Sequence, residues 1–228
     1  MAAKAGANVS ISYVSNEKAA NDVVHSIEAV GCKAFAIKAD ISDEAEAARA
    51  VDAAVERLGP LNGAVISAGI FEGCEIETMT AEFWDRTMDI NLRGTFLTVK
   101  ACAKHMRASG EGGSIVIYTS TAGQRGSAVF SAYATSKGAQ TLFSRSMANE
   151  LAPDRIRVNC IAPAWTETDM AAPSLEALGR EAVAKNFPLG RIGLPEDVAG
   201  PTIFLLSDLA GFVTGITLTV DGGMDMRG

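Results

Sequence analysis

The sequence predicts an α/β domain built on a parallel β-sheet, and three observations predict it. Strand-like apolar runs alternate with helix-length segments along the 228 residues. The composition, 48% hydrophobic with 22 glycines, suits helices packed closely on a sheet. A run rich in β-branched residues, Ser114 to Thr119, leads into Ser120, and a helix-length segment after it carries Tyr133 and Lys137.

The elements follow in order. Met1 to Ala7 reads as the last turn of a helix running into a strand. Strands are expected over 7–13, 33–39, 62–67, 113–119, 155–161 and 216–220, with helices over 17–30, 43–58, 80–108, 131–152, 168–186 and 195–207. Ser42, with Ala45 and Glu46 after it, resembles an N-cap for the second helix. Gly31 and Gly59 fall just past helix ends, and Pro195 falls at a helix start. The chain reads as one domain over 1–228, long enough for a sizeable core, with no internal repeat and no low-complexity linker.

Charge and cysteine usage exclude several functions. A net charge of −7 without a basic run argues against nucleic acid and anionic membrane as partners. No apolar stretch is long enough to span a membrane and no signal peptide opens the chain, so a cytoplasmic location is expected. Cys32, Cys74, Cys102 and Cys160 are widely spaced and read as small buried residues or free thiols, not a disulfide frame or zinc site. His25 and His105 read as helix-surface residues, and no metal site is expected.

Tyr133 and Lys137 are one helical turn apart and share a helix face. A phenol beside a fixed ammonium makes a proton donor that works near neutral pH. A nearby positive charge lowers a tyrosine pKa and burial raises it, so Lys137 is expected to dominate if Tyr133 is the acid/base. Ser120, at a strand end, is placed to hold a substrate oxygen. By itself the Tyr-x-x-x-Lys pair also suits a surface pair on an amphipathic helix.

The surrounding segments decide between these. Ser67-Ala68-Gly69, Asp89-Ile90-Asn91-Leu92-Arg93-Gly94, Ser120-Thr121-Ala122-Gly123, Tyr133 with Lys137, Ile161 to Thr168, and Val220-Asp221-Gly222-Gly223 occur in this order. Together they resemble the short-chain dehydrogenase/reductase family over nearly the whole chain. The resemblance implies a Rossmann-like doubly wound parallel sheet. It also implies an NADP(H)-dependent interconversion of a carbonyl and a secondary alcohol, with NAD as the other possible cofactor; the general pattern is that of 3-oxoacyl thioester reductases and of sugar or polyol dehydrogenases. The implied catalytic set is Asn91, Ser120, Tyr133 and Lys137, with Asn91 holding a water that links Lys137 to solvent. A homotetramer is implied, through the helices at 80–108 and 131–152 and the last strand.

The implied cofactor contacts are Ser12, Tyr13, Ser15, Asn16, Asp40, Ile41, Ala68, Gly69, Tyr133, Lys137, Pro163, Thr166 and Thr168. Tyr13 stands where NAD-preferring members carry a carboxylate, which permits the 2′-phosphate of NADP. Ser15 or Asn16 equally suits a helix cap, Pro163 a strand end and Thr168 a helix cap. The implied substrate residues are Gln124, Arg125, Phe130 and Trp165, with Met170 and Phe187 from a mobile lid over 164–190. Arg125 suits an anionic carrier, while Phe130 and Trp165 equally suit core packing.

One departure bears on function. The family places a strand and a glycine-rich turn before the first strand here, and no such turn occurs before residue 60. The fold expected is therefore N-terminally truncated, with two unpaired edges between the strands at 7–13 and 62–67. Three readings are open: a start placed downstream of the natural one, a natural truncation, or a sheet rearranged around the gap. Intact downstream motifs favour the first. The rival to an enzyme is a non-catalytic oligomer subunit or binding module of the same fold.

Overall fold

The computed structural model describes residues 1–226. Six strands form: β1 (Val9–Tyr13), β2 (Ala34–Lys38), β3 (Gly63–Ile66), β4 (Gly113–Tyr118), β5 (Ile156–Pro163) and β6 (Thr217–Val220). The helices are α1 (Glu17–Glu28), α2 (Glu44–Leu58), α3 (Ala81–Met88), α4 (Gly94–Ser109), α5 (Thr121–Arg125), α6 (Ser131–Leu151), α7 (Ala172–Leu178), α8 (Arg180–Ala184) and α9 (Pro195–Leu206). Every strand pairing is parallel, so the chain returns through a helix each time.

Helix starts follow local chemistry. Asn16, Asp43, Thr80 and Ser120 each accept a backbone N–H from the first turn of the helix that follows. Asp43, not Ser42, caps α2. The Ser42 hydroxyl turns back to donate to Asp40, at 2.7 Å, because the carboxylate there is the stronger acceptor.

The core lies along β4 and β5. Ile115, Ile117, Val158 and Cys160 are sealed with Val99, Cys102 and Met106 of α4 and Ala148 and Leu151 of α6. On the opposite face, Val116 and Ile161 pack against Val198 and Leu205 of α9. Each such side chain contributes about 1.5–3 kcal/mol by leaving water. Alternate strand residues therefore bury against helices on both faces, which is the doubly wound arrangement.

The sheet is broken where the sequence lacks a strand. β1 and β2 form one two-stranded sheet, and β3-β4-β5-β6 form a separate four-stranded one. The edges of β1 and β3 do not join, so the sheet has not rearranged across the gap. Val65 on β3 remains 44% exposed, unlike its sealed neighbours on β4. Helix packing connects the halves: α2 touches both β1 and α4. His105 on α4 meets Asp52 on α2 at 2.6 Å and Lys100 meets Glu44 at 2.6 Å, so His105 serves as a helix-to-helix contact.

Two helices differ from expectation. The helix at 80–108 is interrupted by a π turn at Asp89–Arg93. The segment 168–186 divides into α7 and α8 at Gly179, whose φ of 79° suits glycine. The short α5 was hidden within the segment after Ser120.

Candidate active site

The carboxyl ends of β3, β4 and β5 surround a cavity of about 540 Å³. Gly69, Ser120, Tyr133, Lys137, Pro163, Thr166 and Thr168 line it, as do Arg125, Phe130, Trp165 and Met170. Parallel strands make this convergence unavoidable, since every strand ends on the same side.

Close helix approach sets Ser120 beside Tyr133. A Cβ on Gly123 of α5 would sit 2.6 Å from the Lys137 carbonyl carbon and 2.7 Å from the Gly138 nitrogen of α6. Only glycine lets the two backbones meet there. Ser120 Oγ accepts from the Ala122 N–H at 3.1 Å, which fixes the hydroxyl at the helix start.

Burial holds the Tyr133 phenol above its usual pKa, and the Ser120 hydroxyl opposes that shift. This corrects the expectation that Lys137 would dominate and lower it. The Lys137 ammonium donates to the Tyr118 carbonyl at 2.8 Å and lies 5.7 Å from the Tyr133 ring centroid. Burial pushes its own pKa down to about 8, and a weak interaction with Cys160 opposes that. Two buried groups that each disfavour charge are thus placed together, a pattern typical of proton-transfer sites.

Asn91 lies behind the cavity, fully buried in the π turn. Its Oδ1 accepts from the Ile70 N–H at 2.7 Å, and its Nδ2 donates to the Ile70 carbonyl at 3.0 Å and to Ser136 Oγ at 3.1 Å. Its own carbonyl accepts from Gln140 Nε2 at 2.7 Å and from Thr95 Oγ1 at 2.7 Å. The Asn91 amide therefore braces the loop after β3. π turns of this kind recur at functional sites. A Cβ on Gly69 would stand 2.9 Å from Asn91 Oδ1 and 3.6 Å from Lys137 Nζ, so this loop closes tightly over the site.

The remaining predicted positions separate. Ser12, Tyr13, Ser15 and Asn16 stand at the end of β1, and Asp40 and Ile41 follow β2, all on the other sheet. Asn16 is occupied as the α1 cap, Asp40 accepts from the Ser42 N–H at 2.9 Å, and Ile41 is buried against Gly94. Ala68 is exposed beside Gly69. Thr168 Oγ1 accepts from the Ala171 N–H at 3.3 Å, as a helix cap would. Gln124 is bonded to Thr219 at 3.1 Å and is not among the cavity's lining residues. Arg125 pairs with Asp225 at 3.0 Å. Phe187 packs with Leu175, Val183 and Ile192 and is not among the residues that line this cavity.

Two features escaped the sequence. Phe71 stacks on Phe130, with ring centroids 4.4 Å apart and planes within 4°. Val129 holds a φ of 67°, which costs a β-branched residue about 1–3 kcal/mol. Its carbonyl accepts the Cys74 N–H at 2.7 Å, which ties the two loops that carry this aromatic pair.

The residues fit one half of a nicotinamide dinucleotide. Lys137, Tyr133, Pro163, Thr166 and Thr168 offer donors and a close floor for the nicotinamide riboside, over the cradle at Gly69. The phosphate half lacks a matching cradle: among the described residues, no positive-φ glycine stands at a strand-to-helix junction.

Proton-transfer side chains at the carboxyl ends of a doubly wound parallel sheet define an NAD(P)-dependent oxidoreductase class. The chain belongs to the short-chain dehydrogenase/reductase family. The family model described as enoyl-(acyl carrier protein) reductase matches residues 1–225. L-rhamnose 1-dehydrogenase (NAD(P)(+)) of Sphingomonas sp. (strain SKA58) is 38% identical over 224 residues, covering 98% of this chain and 88% of that one. Inactive 2-(S)-hydroxypropyl-CoM dehydrogenase 2 of Xanthobacter autotrophicus (strain ATCC BAA-1158 / Py2) is 42% identical over 204 residues, covering 86% of each. The gluconate 5-dehydrogenase from Burkholderia cenocepacia J2315, solved with NADP and tartrate, superimposes with a TM-score of 0.91 at 30% identity, covering 99% of this chain and 88% of that one. Among the described residues no helix is long and apolar enough to cross a membrane, and no cluster of three or more His, Cys, Asp or Glu is placed to hold a metal.

Proposed function

We propose that the chain interconverts a ketone and a secondary alcohol with NADP(H), Tyr133 acting as the acid/base. The convergence of Tyr133, Ser120 and Lys137 in one cavity carries this reading. The nicotinamide, when bound, supplies or accepts the hydride at the carbonyl carbon. Ser120 Oγ holds the carbonyl oxygen, and the Tyr133 hydroxyl donates its proton to that oxygen as negative charge develops there. Burial keeps the phenol protonated at neutral pH, so the resting site is set for reduction. The Lys137 ammonium compensates the phenolate as it forms and holds the nicotinamide ribose. Asn91 acts as a positioning residue through the Ile70 peptide.

NADP is favoured over NAD because β1 ends in Tyr13 and not in an aspartate, even with the Glu17 carboxylate beside the Tyr13 hydroxyl. The NADP seen with the gluconate 5-dehydrogenase agrees with this. For the substrate, the family description supports an acyl thioester. The cation that would meet an anionic carrier is instead paired, Arg125 with Asp225. The reading is therefore held at the level of a ketone with apolar flanks. Phe96 on α4 and Leu142 on α6 are exposed, and they support a homo-oligomer joined through these helices.

The test is NADPH-dependent reduction of a ketone panel by the full chain and by Ser120→Ala. Turnover that falls at least 100-fold in Ser120→Ala supports the reading. Equal turnover in both overturns it. A second reading is a non-catalytic member of the family, favoured by the 42% identity to a relative named as an inactive dehydrogenase. Saturable NADPH binding together with ketone turnover would exclude it.

A further inference from the structure

We infer that the substrate is an aryl or otherwise flat, unsubstituted apolar ketone, selected by an aromatic wall built on Phe71; this rests on the ketone–alcohol reading above. Phe71 is the centre of a cluster. It stacks on Phe130, meets the edge of Tyr133 at 4.8 Å between centroids and 75°, and meets Trp165 at 5.8 Å and 84°. All four rings line the cavity. A carbonyl held at Tyr133 therefore has aromatic surface beside it.

Two polar side chains next to that surface are already engaged. Arg125 is paired with Asp225 at 3.0 Å, and Gln124 is bonded to Thr219 at 3.1 Å. A polyol laid against the four rings would lose water from the hydroxyls on that side and find no partner on the ring faces, an unfavourable exchange. A flat apolar group instead gains ring contact without that loss. The wall is also held in shape. The strained Val129 and its bond from Cys74 fix Phe130, and a Cβ at Gly73 would press on the Phe130 ring at 3.1 Å. An aromatic cluster maintained across two loops at the cost of a strained backbone is a selective surface.

The experiment compares acetophenone, acetone, acetoacetyl-coenzyme A and an aldose with the full chain. Binding of each ketone is read by ligand-observed NMR, and reduction is read by NADPH oxidation. Acetophenone should bind in competition with an aryl alcohol, and its kcat/KM should exceed that of the thioester and the aldose at least tenfold. Phe71→Ala should reduce acetophenone binding at least tenfold and lower the acetophenone-to-acetone preference by the same factor. Phe71→Leu keeps apolar volume and should lie between the two, so it controls for a fold lost in the alanine variant. Preference for the thioester or the aldose, or unchanged acetophenone binding in both Phe71 variants, overturns the inference. Acetophenone binding that depends on Phe71 without turnover of any carbonyl would sink the oxidoreductase reading and leave the aromatic wall standing.

Discussion

The Asn91 amide grips the Ile70 peptide from both sides, accepting its N–H at 2.7 Å and donating to its carbonyl at 3.0 Å. The Ile70 loop forms one side of the cavity, so the geometry of the site depends on a residue that does not line it. Asn91→Ala removes three hydrogen bonds from a fully buried position and leaves Ile70 and Ser136 without those partners. The expected loss is about 2–4 kcal/mol of stability, at about 1 kcal/mol or more per bond. Urea unfolding measures it. A change below about 0.5 kcal/mol would mean the brace does not operate.

Tyr133→Phe removes the proton donor and little packing. Ketone reduction should fall by a factor of about 10²–10⁴ with the thermal midpoint nearly unchanged. The raised phenol pKa adds a direction. Alcohol oxidation requires the phenolate, so its rate should climb as pH rises through the alkaline range, whereas reduction should be favoured near neutrality. A pH–rate profile in both directions tests this.

Lys137 gives a stability prediction with a definite sign. Unfolded, the ammonium keeps its proton to about 10.5; folded, burial brings that down to about 8. Between these values the unfolded chain holds more protons, so stability rises with pH, and below about 8 the full cost of burying the charge is present. Lys137→Met should therefore stabilise the chain at pH 7, by about 1–3 kcal/mol after allowing for the lost bond to Tyr118. The advantage should shrink towards pH 10. Denaturant titrations at the two pH values decide it, and an advantage that grew with pH would show the assignment to be wrong.

The open edges of β1 and β3 bear on cofactor affinity. The 228-residue chain should bind NADPH more weakly than micromolar, because the pyrophosphate finds no backbone cradle. Adding a parallel strand and a glycine-rich turn ahead of Met1 should tighten binding by orders of magnitude, since each charge-assisted bond regained is worth about 1.5–3 kcal/mol. Calorimetry on both chains makes the comparison. Micromolar binding by the shorter chain would mean the phosphates have another nest.

Leu142 is 65% exposed on α6 and Phe96 is 44% exposed on α4, where Phe96 meets the edge of Phe143. An apolar surface of this kind is expected to be covered by another copy of the chain. Light scattering at micromolar concentration should give a multiple of 23.7 kDa, and Leu142→Glu should reduce it. A monomer in both cases counts against the assembly.

The sequence by itself determined the order of elements and the parallel sheet. Apolar periodicity and capping are local properties, and Tyr133 and Lys137 share a helix face by spacing alone. The strand that would precede β1 was read from the family resemblance and not from periodicity. Only the tertiary structure decided what those residues do to one another. Burial of Tyr133 raises its pKa where the spacing to Lys137 suggested a fall, because desolvation depends on every neighbour and not on one partner. Asn91 in the π turn bonds to Ile70, Ser136, Gln140 and Thr95, three of them more than twenty residues distant in sequence. Arg125 looked free until Asp225 came beside it, and Phe71 drew no notice until Phe130, Tyr133 and Trp165 closed around it. Contacts between distant segments leave no periodic trace in a single chain, so these pairings are written only in the fold.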